Sequence, residues 1–227
     1  RKVSQAMREF LLMAMGVAAI GTVADVVPLL DENRIIVRHG LVSLREHPPL
    51  GLQALMRRAK LDQKSSLDAE DIGFMIGPRL NAAGRLGQAE LGVELLTTDN
   101  PQRAEDLAEY LEELNESRKK LERSIYLAAK KQIKEDFDAE NDDAFVLAGR
   151  GWHRGVIGVV AGRIAEKYQR PTIVISQDKI AAEAGVGSGR SALGLNLYEA
   201  LNDCQDLLVK HGGHPAAAGL TIKDKDI

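Results

Sequence analysis

The sequence predicts an α/β protein in three parts: a mostly helical first part, one long helix, and a small α/β domain with a mixed or parallel sheet. Three observations lead to this prediction. Apolar residues recur at helical spacing through much of the first hundred residues, and at intervals of three and four over 101–135. Beyond residue 143, short apolar runs of strand length alternate with helical segments, as in a sheet covered by helices.

The first twenty residues form a predicted helix whose second half is apolar. Asp25 follows within the apolar stretch 21–29. An ionised carboxylate among apolar side chains is costly unless a cation or a hydrogen-bond donor meets it. Two interpretations stay open for Asp25, a metal ligand and a helix cap.

Further helices are predicted over 34–46, with Asn33 as the N-cap, and over 50–59. Ser65 and Asp68 have the spacing of a capping box, which would open another helix that continues through residue 76. The first part is therefore expected to be built from short helices.

A basic segment follows at residues 77–87, where Arg79, Asn81 and Arg85 lie among small residues. Two guanidinium groups and an amide could clamp an oxyanion, because arginine presents a planar fork of donors. The same side chains could equally hold a buried salt-bridge network. The residues alone favour neither alternative.

Asn100 and Pro101 predict the start of the long helix, with asparagine as the N-cap and proline in the first helical position. The helix is expected to run to about Glu135. A dimeric coiled coil is a rival interpretation, although Arg118 interrupts the apolar seam. The polar residues 138–143 predict a joint before the last part of the chain.

The last part is predicted to alternate strands with helices. Strands are expected at 144–148, 171–176, 180–186 and 216–222, and helices at 156–168 and 195–208. Ligands of such folds bind just beyond the ends of strands, where the glycine-rich segments of this chain are expected to fall.

Three glycine-rich segments distinguish this last part, at 151–158, 187–191 and 211–219. Each alone is compatible with a tight turn. Together they carry His153, Ser188, Arg190, His211 and His214, which favours a phosphate-binding surface. Backbone N–H groups between successive glycines are expected to form a concave nest for an anion. Trp152 is expected to anchor the core rather than to stack on a base.

Composition limits the functions of the chain. Its 227 residues are 44% hydrophobic and 28% charged, which is typical of a globular protein. Aromatic residues make up 4%, so extensive base stacking is excluded. The net charge is −3, but the acidity is concentrated in residues 104–143 and both ends are mildly basic, which permits a phosphate ligand. The single cysteine excludes an internal disulfide and favours the cytoplasm, and no apolar run is expected to reach membrane-spanning length.

In these motifs the sequence resembles the RecJ-like single-strand-specific exonucleases of the DHH phosphoesterase superfamily. The resemblance is strongest at 21–29, 78–87, 152–158, 187–191 and 212–219, and the order and spacing of these segments are more specific than any one of them. It implies three domains, listed here by residue: 1–103, the C-terminal part of a DHH catalytic domain; 104–140, a long connector helix and joint; and 141–227, a DHH-associated substrate-binding domain.

The resemblance also implies a site and a cofactor. The catalytic residues would be Asp25, Arg79, Asn81, Arg85 and His214, with Asp25 also a metal ligand. The substrate-binding residues would be His153, Gly187, Ser188, Gly189, Arg190, Ser191, Gly212 and Gly213. The intact protein would use Mn²⁺ or Mg²⁺. This chain has no Asp-His-His tripeptide, so it is expected to be a fragment that binds no catalytic metal by itself and is inactive alone.

As a function, the resemblance implies 5′-to-3′ hydrolysis of single-stranded DNA in repair and recombination. Partners would be single-stranded DNA and, for the intact protein, a single-strand-binding protein or a helicase; no membrane is expected. Two alternatives are a DHH phosphoesterase acting on short oligonucleotides or cyclic dinucleotides, and a non-catalytic nucleic-acid-binding module.

Overall fold

The computed structural model describes residues 3–178 and 184–227, and in these ranges the chain is an α/β protein with a mixed sheet, which confirms the predicted fold class. It forms two compact units, Arg1–Ser117 and Arg118–Ile227. The helices of the first unit are α1 Gln5–Ala24, α2 Asp31–Glu46, α3 Leu50–Arg58, a π-helical turn Asp71–Ile76, α4 Gly77–Arg85 and α5 Ala89–Thr97. Helix α6, Pro101–Asp136, contributes its first half to this unit and its second half to the other.

The second unit holds the sheet. Its elements are β1 Phe145–Arg150, α7 Arg154–Tyr168, β2 Thr172–Gln177, β3 Gly185–Arg190, α8 Leu197–Asp203, β4 Leu208–His214 and β5 Ala217–Ile222. The strand order is β1-β2-β3-β5-β4. Among these described strands, β1 and β2 are parallel, and the other pairs are antiparallel.

Helix α1 begins and ends by local hydrogen bonds. The Ser4 hydroxyl accepts from the Met7 N–H at 3.3 Å at its start. Two contacts hold α2 against α1. Leu44 of α2 is buried, and the Ser43 hydroxyl donates to the Leu12 carbonyl. By length and composition alone, α1 is apolar enough to cross a membrane, although Arg8 and Glu9 interrupt its apolar run. The same criteria are met by core helices of soluble proteins, and α1 packs along α2.

Two predicted helix starts are wrong. Asn33 lies inside α2, because the helix begins at Asp31, and the Asn33 amide donates back to the Pro28 carbonyl. The capping box lies three residues later than predicted: the Asp71 N–H donates to the Asp68 carboxylate and the Asp68 N–H to the Asp71 carboxylate, both at 3.0 Å. The Asp71 N–H bond holds the pKa of the Asp68 carboxyl below its usual range.

The long helix confirms its predicted ends. The Arg103 N–H donates to the Asn100 side-chain oxygen at 3.1 Å, so Asn100 is the N-cap. The apolar seam of α6 is covered within the chain itself: Leu107 and Leu111 lie in the core of the first unit, and Ile125 and Ile133 in that of the second. Much of the seam is therefore buried within each unit, which disfavours the coiled-coil alternative, although Leu121 of the seam is exposed. The polar residues 138–143 lie inside the second unit, where Phe137 and Ala139 still pack on its core.

The strands agree with prediction except at β3 and β4. The strand expected at 180–186 begins outside the described residues, since 179–183 are not described, and β3 continues to Arg190. The helix expected over 195–208 ends as α8 at Asp203, and β4 was not predicted at all. As a result, two of the three glycine-rich segments lie within strands rather than after them.

Candidate functional site

Asp25 ends α1. Its backbone N–H donates to the Gly21 carbonyl at 3.0 Å, and its side chain is exposed. The expectation that its carboxylate sits among apolar side chains and needs a partner is therefore wrong, because water solvates it. The helix-end interpretation of Asp25 is the one that the structure describes, and its role as a ligand stays a prediction.

The end of α1 lies beside the start of α4 within the first unit. A Cβ placed on Gly77 would lie 3.5 Å from the Ala24 Cβ, and one on Gly73 would lie 3.8 Å from the Val23 Cγ1. The fold thus brings Asp25 close in space to the helix that carries the arginines.

The side chains of α4 divide between the interior and the surface. The Arg79 side chain is 10% exposed and forms two bonds with Glu112 of α6, from Nε at 2.5 Å and from Nη2 at 3.2 Å, while Nη1 donates to the Met75 carbonyl at 2.6 Å. Asn81 and Arg85 are exposed. For Arg79 the structure has the buried ion pair, one of the two alternatives left open by the sequence, so the three side chains do not converge on one point.

The residues described in the first unit do not fit a divalent cation by themselves. Mg²⁺, Mn²⁺ and similar hard cations take about six oxygen ligands. Across residues 3–178 and 184–227, no group of three or more His, Cys, Asp or Glu side chains could hold a metal ion. Asp25 supplies a single carboxylate, which leaves the coordination sphere incomplete.

In the second unit, the first glycine-rich segment makes the turn from β1 into α7. Gly151 takes a positive φ of 70°, and His153 caps α7 by accepting the Gly155 N–H on Nδ1 at 3.1 Å. This bond leaves Nε2 of a neutral His153 as the donor. Trp152 packs on the core of the unit, as predicted, and its carbonyl accepts from the Ser176 hydroxyl.

Ser188 and Arg190 of β3 lie against α7 at Gly158 and Gly162, about one and two turns beyond its start. A Cβ on Gly158 would be 2.9 Å from the Ser188 hydroxyl and 3.1 Å from Arg190 Nη2, so a larger residue there would displace these two side chains. Arg190 Nη1 donates to the Ser188 hydroxyl at 3.1 Å and to the Gly189 carbonyl at 2.7 Å. The Ser188 hydroxyl and the Arg190 guanidinium together form one polar cluster against α7, beyond its first turn.

The antiparallel register extends this cluster across the sheet. Residues directly opposite each other share a face, so three rows run across β3, β5 and β4 on the same side. These rows are Arg190–Ala217–His214, Ser188–Gly219–Gly212 and Val186–Thr221–Lys210. We call this side of the three strands the open face. A shallow cavity of about 330 Å³ lies beside these strands; its lining includes Lys210, Gly212 and Thr221 of the open face, and also His211 and Leu220 of the opposite side.

The glycines of these strands serve two purposes. Gly187 and Gly189 belong to the opposite side, where a Cβ would come within 2.9 Å of Leu220 and 2.7 Å of Leu197. By contrast, a Cβ on Gly212 would meet nothing within 4 Å. Packing therefore accounts for Gly187 and Gly189, whereas nothing within the described chain requires glycine at 212.

The predicted glycine nest is wrong for the segment 187–191. A nest needs consecutive N–H groups turned toward one point, but β3 is an extended strand paired on both sides, with β2 and with β5. Its N–H groups belong to the ladder. Ser191 is also engaged locally, since its hydroxyl donates to the Leu195 carbonyl at 2.5 Å.

His214 ends β4 on the open face. It is exposed, and its Nδ1 accepts the Ala216 N–H at 3.3 Å, which leaves Nε2 as the donor of the neutral ring. Two strand spacings separate the Arg190 and His214 backbones, about 10 Å. His211 is on the opposite side, with its ring 5.9 Å from that of Tyr198.

Sequence reasoning missed two residues. Lys210 adds a cation to the open face, and only the short apolar run before it, Leu207–Val209, signalled a strand there. Glu112 pairs with Arg79 from 33 residues away in sequence, which no local pattern reveals.

Known proteins share clear similarity with this chain. Residues 141–227 match the DHHA1 domain. Over 215 residues the chain is 40% identical to the single-stranded-DNA-specific exonuclease RecJ of Bacillus subtilis, covering 94% of the chain and 27% of that protein. It is 39% identical to RecJ of Escherichia coli over 224 residues, covering 92% of the chain and 37% of that protein.

Solved structures agree. The crystal structure of RecJ from Thermus thermophilus in complex with Mg²⁺ matches with a TM-score of 0.83 at 35% identity, covering 94% of this chain and 32% of that one. A crystal structure of exonuclease RecJ bound to manganese matches with a TM-score of 0.77 at 36% identity, covering 94% of this chain and 51% of that one. The chain thus spans roughly a third of the curated relatives' length. Residues 141–227 thus match the DHHA1 domain, and the chain as a whole is similar to one part of the RecJ exonucleases.

Proposed function

We propose that this chain is part of an exonuclease that hydrolyses phosphodiesters of single-stranded DNA, and that its second unit holds the strand by its phosphates. The open face carries this proposal. Its middle row, Ser188–Gly219–Gly212, has no side chain larger than serine, and cations flank the row on both sides. The sugar-phosphate backbone of single-stranded DNA can lie close to a surface with such small side chains.

One phosphate would bind where β3 meets α7. The guanidinium of Arg190 supplies a positive charge there, and the Ser188 hydroxyl supplies a hydrogen-bond donor. Further along the strand, the Nε2–H of His214 and the Lys210 ammonium would meet other phosphate oxygens. Contacts of this kind position a strand without reading its sequence. The low aromatic content supports the same mode, because it leaves little surface for stacked bases.

The proposal extends to direction and role by similarity to the RecJ exonucleases: digestion from 5′ to 3′, in DNA repair and recombination, in the cytoplasm. Association with a single-strand-binding protein or a helicase stays a prediction for a longer protein. Affinity purification of that protein, with and without nuclease treatment, would test the association.

The described residues of this chain do not supply enough ligands for a catalytic metal ion. We expect calorimetry of this chain with Mn²⁺ to show no tight binding and the chain alone to cleave nothing, because Asp25 is a single ligand. A micromolar Mn²⁺ site would contradict this.

In a longer protein that contains the chain, Asp25→Ala should abolish Mn²⁺-dependent cleavage if Asp25 is a ligand there, and retained cleavage would refute that role.

The strand-binding role of the open face is tested by Arg190→Ala. Each phosphate contact to a single strand adds about 0.7 to the slope of log affinity against log salt concentration. We expect the variant to bind oligothymidylate about tenfold more weakly, with a slope shallower by about one contact. Fluorescence anisotropy at several salt concentrations measures both quantities.

Lys225→Ala is the matched control for Arg190→Ala. It also removes one cation from the second unit, from a side chain that is 76% exposed and lies outside the open face. If both variants change the slope equally, the effect belongs to net charge and Arg190 makes no phosphate contact.

A further inference from the structure

The first unit contains another cavity, with charged and apolar side chains in its lining, formed where α2 faces the loop before the π-helical turn. It has a volume of about 350 Å³ and is lined by Arg38, Leu41, Val42, Arg45, Glu46 and Ser65–Leu67. It contains none of the residues Asp25, Arg79, Asn81 and Arg85. The size is at the lower end of the range for small-molecule sites.

The two arginines of this cavity lie on one side of α2, about two helical turns apart. Within residues 3–178 and 184–227, no carboxylate pairs with Arg38. Arg45 donates one hydrogen bond to the Asp62 carbonyl, at 3.1 Å, and its guanidinium has further N–H donors. Glu46 offsets one of the two positive charges, so the cavity carries a net positive charge of about one.

The loop opposite the arginines is held in place before any ligand arrives. Lys64 Nζ contacts the two carboxylate oxygens of Asp71 at 2.7 and 2.8 Å. The reciprocal bonds between Asp68 and Asp71 fix its other end, and Leu67 is buried. The hydroxyls of Ser65 and Ser66 are thus presented on a braced loop. A site whose donors are already fixed loses less entropy on binding.

Between the arginines, the cavity wall is apolar. Val42 is 52% exposed although it is a large aliphatic residue, and Leu41 and Leu67 lie next to it in the wall. Guanidinium forks bind carboxylate and phosphate alike, and two arginines with two hydroxyls offer donors for the several oxygens of a phosphate. An aliphatic wall suits the sugar or base that carries the phosphate.

We propose that this cavity is a nucleotide-phosphate site, separate from the open face, in which Arg38 and Arg45 hold the phosphate, Ser65 and Ser66 donate to it, and the aliphatic wall contacts the sugar or base. The phosphate belongs either to a free mononucleotide or to a nucleotide within a strand. The site does not depend on the proposed nuclease function.

The test is a set of NMR titrations of the ¹⁵N-labelled chain with inorganic phosphate, dTMP and hexathymidylate. We expect dTMP to shift the amide resonances of Ser65, Ser66 and Leu67 and to bind more tightly than inorganic phosphate. Tighter binding of hexathymidylate at this loop would identify a strand as the source, and equal or weaker binding would identify the free nucleotide.

Two variants decide whether the named side chains form the site. Arg38→Ala with Arg45→Ala should weaken dTMP binding about tenfold or more, since two charge-assisted contacts are lost. Ser66→Glu, which keeps both arginines, should abolish binding by placing a carboxylate in the cavity. Arg8→Ala, which removes an exposed cation from α1, should leave it unchanged.

Three results would overturn the proposal. The first is the absence of shifts at Ser65–Leu67, and the second is equal affinity of the double-arginine variant for dTMP. The third is glutamate binding as tightly as dTMP, which would show that the cavity has no preference for phosphate. Circular dichroism of each variant confirms that the helices are intact.

Discussion

Replacing Glu112 by alanine should destabilise the first unit by roughly 3 kcal/mol, since it leaves the buried guanidinium of Arg79 without its counter-charge. Arg79 would keep only its bond to the Met75 carbonyl, and its side chain is 10% exposed. Water can reach it only in part. Denaturant unfolding followed by far-ultraviolet circular dichroism, which reports the helix-rich first unit, measures the loss.

Glu109→Ala is the matched control, one turn earlier on α6. Glu109 pairs with Arg58 at 3.2 Å, but its side chain is 61% exposed. Exposed pairs contribute about 0–1 kcal/mol, so this variant should unfold close to the parent chain. If Glu112→Ala and Glu109→Ala cost the same, the Arg79–Glu112 pair is not a structural link between α4 and α6. The Arg79 side chain is thus positioned by α6, and any contact that Arg79 makes with substrate would depend on Glu112.

Gly213→Ala should destabilise the second unit by at least about 2 kcal/mol, whereas Gly212→Ala should change its stability by less than about 0.5 kcal/mol. Gly213 has a φ of 145°, and a Cβ there would lie 2.4 Å from the Ala217 carbonyl oxygen and 2.5 Å from the Ala218 Cα. These atoms are backbone and cannot turn aside. At Gly212 the added methyl group meets nothing within 4 Å.

The single tryptophan, Trp152, lies in the second unit, so its fluorescence follows that unit during unfolding. Equal stability of the two alanine variants would show that the backbone of β4 is wrongly placed. The contrast also separates two reasons for glycine that the sequence presents as one: Gly213 is needed by the hairpin, and Gly212 is available to a ligand.

Local signals predicted the elements whose ends are set by neighbouring residues. Asn100 caps α6 by a bond to the N–H three residues later, and Pro101 fits the first helical turn, so the start of this helix can be read directly. The capping box was misplaced by three residues because Asp68 fits either end of the pattern. Lys64, which bonds Asp71, selects the later register.

The glycine-rich strands β3 and β4 were the elements that the sequence predicted least well. In β3 and β4 the glycines hide the alternation of apolar and polar residues that identifies a strand, and their N–H groups are used by neighbours distant in sequence. Positions 187–191 and 211–214 were therefore interpreted as turns and nests. The residue types pointed to a phosphate-binding surface, but only the register showed that Ser188, Arg190 and His214 share one side of the sheet.

The partner of Arg79 was also beyond prediction. The sequence left a buried pair and an oxyanion clamp equally open, since the choice depends on Glu112 of α6 lying against α4. Asp25 shows the reverse case: its apolar neighbours in sequence predicted burial, yet they belong to a helix that ends there, and the carboxylate is exposed.

The open face is tested most directly by oligothymidylate affinity in two variants of one strand, His214→Ala and His211→Ala. Both remove an imidazole from β4, one from the open face and the other from the side that carries Tyr198. If single-stranded DNA lies on the open face, His214→Ala should bind oligothymidylate at least about fivefold more weakly than the parent chain. His211→Ala should bind it as the parent chain does. Equal losses in both variants, or a loss in His211→Ala alone, would contradict it.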